Sequence, residues 1–367
     1  MEQKITFGSW EAVCLLITMI STKAVLNFPR VMAENGGTAG WLLVIYISLL
    51  AFAAFFVITR LYSKFEGKDL LDIGESIGGK PVKIVVGIVI IVFLIILSSL
   101  ILRTFSEEMK IMGLTQSPIS FVMLFFAVGM IISVYYGIES IVRFQAILVP
   151  ISVISFTLFI IALFPSAHIT NFYPILGNGV YDIFVEGSTR VSSYAELIFL
   201  FLIPPFIKTG ENFRKVGYAA LGICTLVLLS LTAVFLGAYP YPAAIDGFLP
   251  AYQLARMVDF GRFFQRVESI LVVTWATIGF MYLSTAFFFI VYVFRKTFDL
   301  KYQRPLIWPF IILIFNISLL PASLIETIEL DTRYFRNWAW TVTFGFTILI
   351  LLIGKFVRRN EKTGKKV

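Results

Sequence analysis

A lysine lies inside the first apolar run of the chain, in Ser21-Thr22-Lys23, and the run closes on Asn27-Phe28-Pro29-Arg30. A charge at the centre of a membrane helix costs roughly 2.5 to 3.5 kcal/mol on insertion scales, which makes such a residue a functional candidate by default. In hydrocarbon a helix can break only where the freed backbone is buried in protein or lines a cavity, so Ser21, Thr22, Lys23 and Ala24 mark a ligand site. A second apolar run carries Ser192-Ser193-Tyr194-Ala195-Glu196 near its middle and Pro204-Pro205 near its end. Ser21 lies roughly 20 Å along the first run, and Glu196 about 12 Å past Ser188, so both fall at membrane depth. One reading has Lys23 facing a cavity and pairing with Glu196 or with a ligand carboxylate. The plainer reading has Lys23 snorkelling to the membrane surface and Glu196 satisfied within a tight helix junction. Tyr194 and Phe199 flank Glu196 and complete this side of the expected site, while the nearby serines serve equally well as interhelical bonding groups.

Other chemistry has little support. Cys14 and Cys224 lie in apolar runs as packing residues, and His168 is the single histidine. No catalytic residue, metal set or cofactor is expected.

The elements that hold these residues are membrane helices. At 59% hydrophobic and 14% charged residues, with a mean hydropathy of +0.90, the chain is far more apolar than a soluble domain. Apolar runs predict an all-α protein with ten spans at 8 to 33, 38 to 60, 82 to 102, 118 to 136, 141 to 164, 188 to 207, 216 to 238, 267 to 294, 306 to 322 and 336 to 356. Span 9 is short and ends at Pro321. About twice as many lysines and arginines fall on the side of the termini as on the other, which predicts cytoplasmic N- and C-termini. The net charge of +8 then reflects orientation and anionic lipid, with no need for nucleic acid. The first run is too long for a cleaved signal peptide and is expected to remain as span 1.

The whole of 1–367 reads as one transmembrane domain with a basic cytoplasmic tail at 357–367. Spans 1 to 5 (about 8–164) and 6 to 10 (about 188–356) match in length. Five is odd, so the second half enters from the opposite side, and the relation is an inverted repeat. The first helix of each half is the interrupted one. Paired half-helix ends suit a ligand with both charges, such as an amino acid zwitterion. The segment from Leu249 to Phe260, with Leu254, Met257 and Val258, suggests a short helix lidding the cavity. Glu107-Glu108-Lys110 and Glu139 with Arg143 read as solvated faces or partner contacts.

The run Thr22-Lys23-Ala24-Val25-Leu26-Asn27-Phe28-Pro29-Arg30, followed by Gly36-Gly37-Thr38-Ala39-Gly40-Trp41, resembles the first-helix signature of bacterial spore germination permeases. These are the B subunits of nutrient germinant receptors. Three further stretches are similar to that family: Leu102 to Glu108 with Ser117-Pro118; Tyr136 to Arg143; and Asn171 to Gly177 with Gly179. Together they cover most of the first half in order. The resemblance implies the five-plus-five fold of the amino acid, polyamine and organocation transporter superfamily. It also implies a place in the spore inner membrane, an A subunit and a lipoprotein C subunit as partners, and a small nutrient ligand. In that fold, spans 3 and 8 complete the pocket, which brings in Ser98, Thr274 and Thr277. Some superfamily members bind sodium between spans 1 and 8, which makes Ser284 and Thr285 a candidate ion site. The chain departs from the family at Ser21-Thr22-Lys23, where members usually carry a small, often glycine-containing stretch, so Lys23 can alter the ligand or replace a bound cation. Receptor subunit and proton- or sodium-coupled transporter both fit the fold. An intramembrane enzyme lacks a nucleophile and base.

Overall fold

The computed structural model describes residues 6–207, 213–247, 249–257 and 267–364, with the backbone alone at 267, 268, 270 and 358–364. Span 1 is two helices, α1 (Ser9–Ser21) and α2 (Phe28–Gly36), joined by a 3-10 turn at Thr22–Ala24. Pro29 occupies the first turn of α2, where its missing N–H has no partner to lose, so the chain restarts there rather than continuing α1. Every residue of α1 from Ala12 to Ile20 is buried, the mark of a helix at the centre of a bundle. Next come α3 (Gly40–Tyr62), α4 (Leu70–Met112), α5 (Ile119–Tyr136) and α6 (Ile138–Leu163).

The second half opens with short α7 (Val180–Phe184) and a long 3-10 helix, Glu186–Phe201, kinked at Tyr194 (φ −106°, ψ 16°). It continues through α8 (Phe213–Ala238), α9 (Pro250–Met257), α10 (Val267–Thr297) and α11 (Ile307–Ser318). Span 10 is α12 (Leu324–Glu329), α13 (Arg336–Trp340) and α14 (Thr347–Gly364), joined by π-helical turns at Leu330–Phe335 and Thr341–Phe346.

Among the described residues, seven helical stretches are long and apolar enough to cross a membrane. The other three expected spans are interrupted or short: α1 with 13 residues, the 3-10 helix with 16 and α11 with 12. The architecture is thus the all-α, ten-span one, with its first and sixth spans broken. Two boundaries move. Helix α4 starts twelve residues before the expected 82, because Leu70 to Ile77 form an amphipathic helix, carrying Asp72, Glu75 and Ser76, that bends into the span at Gly78 and Gly79. Span 10 starts near 324 and carries Asp331, Arg333 and Arg336 inside its helical course. The expected lid helix is α9, with Leu254 buried and Met257 exposed; Val258 to Phe260 lie outside the described residues. In the basic tail, α14 reaches Gly364, and residues 365–367 lie outside the described ones.

Glycines set the closest approaches. A Cβ at Gly87 would lie 2.0 Å from Thr297 Oγ1, and one at Gly279 would lie 1.9 Å from Phe105 Cε1. These two contacts run α4 and α10 antiparallel along their length, with small residues admitting the partner helix. Gly217 of α8 admits Phe55 of α3 in the same way.

At the lysine-rich end the polar start of α4 is tied to the end of α10. Asp69 caps α4 in a reciprocal capping box with Asp72, accepts from Tyr292 Oη at 3.0 Å, and pairs with Lys296 at 2.7 Å. Lys296 also pairs with Asp72 at 2.7 Å, while Lys83 bridges Asp299 at 2.6 Å and Glu75 at 3.2 Å. Burial pushes the Asp69 carboxyl up to about 6, with Lys296 opposing the rise. The Lys83 hydrogen bond holds the exposed Asp299 carboxyl below its ordinary range. At this same end the start of span 1 meets the end of span 6: the Phe7 N–H donates to Phe206 O at 2.9 Å.

Candidate ligand-binding site

The two breaks meet. In the first, Thr22 Oγ1 donates to Thr18 O, a back-bond that bends the helix as α1 ends. In the second, Ser188 and Thr189 turn their hydroxyls onto Val185 O and Glu186 O, and the backbone is wound as 3-10 helix through to the kink. The carbonyls around the kink find side-chain donors instead. Lys23 Nζ donates to Ser193 O, Thr343 Oγ1 to Ala195 O at 2.7 Å, and Arg336 Nη1 to Ser192 O at 3.3 Å. The Trp340 N–H donates to Ser192 Oγ at 3.0 Å, so α13 and the π-helical turn after it are strapped along the broken helix.

Glu196 is fully buried and takes two cations. Its Oε2 pairs with Lys23 Nζ, its Oε1 pairs with Arg336 Nη1 at 2.9 Å, and Tyr282 Oη approaches Oε1 at 3.4 Å. Arg336 also pairs with Asp331 at 3.2 Å. Two cations and two anions balance between the broken helices and span 10. Removing one member of such a buried set leaves an uncompensated charge, which typically costs about 3 to 5 kcal/mol.

A small cleft opens against this set, lined by Lys23, Arg336, Asp331, Arg190 and Ser193, with Leu26, Phe28, Val31 and Ile101 as its apolar wall. Arg190 donates to Asn35 Oδ1 at 3.2 Å and to Thr332 O at 2.8 Å, and among the described residues no carboxylate pairs with it. The lining therefore offers the Asp331 carboxylate, which is paired with Arg336, and the Arg190 guanidinium, which has no carboxylate partner among the described residues, beside an apolar wall.

Of the residues singled out from sequence, Lys23 and Glu196 come together. Ser21, Thr22 and Ala24 line a different, apolar cavity, and Ser21 donates to Cys224 Sγ at 3.3 Å. Tyr194 points away from the cleft, its hydroxyl shared with Ser48 at 2.6 Å and Thr225 at 3.0 Å. Phe199 packs edge-on against Phe289, with ring centres 5.5 Å apart. Ser98 is buried on α4 without lining the cleft. Thr277 bonds its own helix at Val273 O, and neither it nor Thr274 lines the cleft. The candidate ion site has other partners: Ser284 donates to Ser133 Oγ at 3.2 Å, and Thr285 accepts from Gln145 Nε2 at 2.9 Å. Both hydroxyls thus bind α5 and α6 rather than the break in span 1. The Glu107–Glu108 margin also differs from a solvated face. Arg103 pairs with Glu107 at 2.9 Å, and Glu108 is fully buried, whereas Arg143 and Glu139 pair on the surface as expected.

Arg336, Asp331, Arg190 and Tyr282 join the site without standing out in the sequence. Arg336 falls at the first residue of the expected span 10, where it reads as part of a loop. The signal that places it is the helix-compatible run from Leu324, which puts the charge inside the span.

Comparison with known proteins adds three findings. The model of a family described as "Spore germination protein" matches residues 7–325. Spore germination protein YndE of Bacillus subtilis (strain 168) is 25% identical over 96% of this chain and 97% of its own length. Spore germination protein B2 of the same organism is 25% identical over 75% of this chain and 74% of its own. Among solved structures, MhsT in complex with L-phenylalanine gives a TM-score of 0.72 at 14% identity, covering 95% of this chain and 89% of that one. Mhp1, a nucleobase-cation-symport-1 family transporter in a closed conformation with bromovinylhydantoin bound, gives 0.71 at 11% identity, covering 95% and 78%. At these identities the structures establish the shared fold alone.

Proposed function

The chain belongs to the spore germination protein family, and from that premise we propose that it is the membrane subunit of a nutrient germinant receptor. Its ligand is a small amino acid held in the cleft beside Lys23. The carrying observation is the pair of interrupted helices locked by Lys23, Glu196 and Arg336, with a cleft that offers both charges and an aliphatic wall. The ligand carboxylate lies toward Arg190 and its ammonium toward Asp331. An apolar side chain fits against Leu26, Val31 and Ile101.

Lys23 occupies the break as a tethered cation, so no separate sodium ion is needed to neutralise Glu196. Ligand binding biases a conformational equilibrium by the difference in its affinity for the two states. An A subunit and a lipoprotein C subunit read that shift. Both termini face the cytoplasm of the spore inner membrane, in keeping with the lysine-rich end. The second reading, a secondary transporter of amino acids, is favoured by the fold shared with two ligand-bound proteins, one of which is a transporter by name.

The test is germination of spores lacking the gene, followed by loss of optical density against a panel of amino acids, sugars and nucleosides. A lost response to amino acids that returns with the gene supports the receptor. Unchanged germination together with amino acid uptake in vesicles would replace it with the transporter.

A further inference from the structure

Glu108 takes no part in the cleft beside Lys23. It is fully buried on α4, and among the described residues neither of its oxygens meets a hydrogen-bond donor. An ionised carboxylate buried without a partner is so unfavourable that the group takes up a proton instead. The ligand this position calls for is a proton, which needs no cavity to hold it.

Ile101, Thr104, Phe105 and Glu108 share one face of α4, at helical spacings of three, four and seven residues. Ile101 walls the cleft, and Glu108 lies two turns beyond it, about 10 Å toward the end opposite the lysine-rich one. Between them Phe105 enters the notch left by Gly279 and stacks on Trp275 with ring centres 4.6 Å apart. The antiparallel contacts of Gly87 with Thr297 and of Phe105 with Gly279 set a register that puts Glu108 level with Ala276, one turn outward of that closure. Glu108 also falls past the expected end of span 3 at 102, so its proton comes from the adjacent solution without crossing the bilayer.

The charges on the neighbouring elements are engaged elsewhere or absent. On α4 itself, Arg103 pairs with Glu107 at 2.9 Å, and Lys110 lies about 200° round the helix from Glu108. Helix α5 carries no titratable side chain from Ile119 to Ser133, α10 none from 269 to 281, and α11 none at all. On α12, which also packs against α4, Glu326 accepts from the Ala322 N–H at 2.7 Å and Glu329 pairs with Arg333 at 2.8 Å; beyond it Asp331 pairs with Arg336 at 3.2 Å. Asp259, Arg262, Arg266 and the side chain of Glu268 lie outside the described residues. We propose that Glu108 is the proton-binding site of a gate between α4 and α10. As the neutral acid it lets the two helices stay closed. They part when its O–H bond breaks, the proton passes to water, and the charge left on the carboxylate draws water in.

The experiment uses the full chain in maltoside detergent, which has no carbonyl of its own. Infrared spectra should show the carbonyl stretch of a protonated carboxylic acid persisting at about pH 8, where ordinary carboxyls and Asp69 are ionised. Glu108→Gln keeps the shape, stays neutral and removes that band, and Glu108→Leu takes its place should the amide not fold. The gate is read from Thr104→Cys, one turn inward on the same face, through its reaction with a charged methanethiosulfonate above the background of the buried Cys14 and Cys224. Its rate, divided by the rate in Thr104→Cys combined with Glu108→Gln, cancels the ionisation of the thiol. That ratio should rise with pH by up to roughly tenfold per unit, because each unit multiplies the ionised fraction of Glu108 by ten. A wild-type spectrum without the band at about pH 8, or a band that survives in the variant, overturns the proton site. A ratio that stays flat between about pH 6 and 8 overturns the gate.

Discussion

Lys23, Glu196 and Arg336 act as one electrostatic unit, so their variants should not add. Glu196→Gln leaves two buried cations facing each other, and Lys23→Ala leaves Glu196 with Arg336 alone. Each single change is expected to cost on the order of 3 kcal/mol, and the double change less than the sum, because it restores the balance of Arg336 with Asp331. Thermal unfolding of the four proteins in detergent measures this, and strict additivity would refute the coupling. Arg190→Gln removes the cation to which the proposed ligand carboxylate is assigned. It should shift the half-maximal nutrient concentration upward by roughly ten- to a hundredfold, since a hydrogen bond to a charged group is worth about 1.5 to 3 kcal/mol. A dose response that stays put would move the carboxylate elsewhere. Lys23 and Glu196 were legible in the sequence because a charge inside an apolar run is costly in lipid and persists only where it is paired or used. Tyr194 was not, since the kink at that residue turns its side chain toward α3 and α8, and no periodicity reports the direction of a side chain after a break.

The helices differ in how openly the sequence announces them. Runs of apolar residues located ten spans because lipid imposes length and composition on every segment that crosses it. The same window hid the start of α4 and of span 10, where polar residues inside a continuous helix look like loops. Gly79 makes the bend in α4 (φ 68°, ψ −154°), a conformation that belongs to glycine, and a Cβ there would meet nothing within 4 Å. Gly79→Ala thus tests backbone strain alone and should lower stability by about 1 to 3 kcal/mol. An unchanged melting temperature would mean that the bend relaxes freely. Next to it, Asp69 ties α4 to α10 with a carboxyl raised to about 6. A raised pKa means that its contribution is fully present below the ordinary carboxylate value and is lost as pH rises through about 6. Asp69→Asn should therefore flatten the fall in melting temperature between about pH 4 and 6, and a steeper fall in the variant would contradict the assignment.

Across the whole molecule, two inverted halves bring their broken helices to a common centre, and the Phe7–Phe206 bond pins them at the lysine-rich end. Orientation is readable from basic residues, and a reporter fused to either end should sit on the cytoplasmic side; an externally accessible C-terminus would reverse the assignment. The tethered cation has one more consequence. Lys23 and Arg336 cancel Glu196 and Asp331, Arg190 keeps its one positive charge with or without ligand, and an amino acid zwitterion brings no net charge, so occupancy of the cleft adds none at membrane depth. Each elementary charge carried through 100 mV is worth about 2.3 kcal/mol, and a device that carries none is blind to voltage. Such a switch works on a cell whose membrane is electrically silent, and collapsing the potential with an ionophore should leave its nutrient dose response where it was.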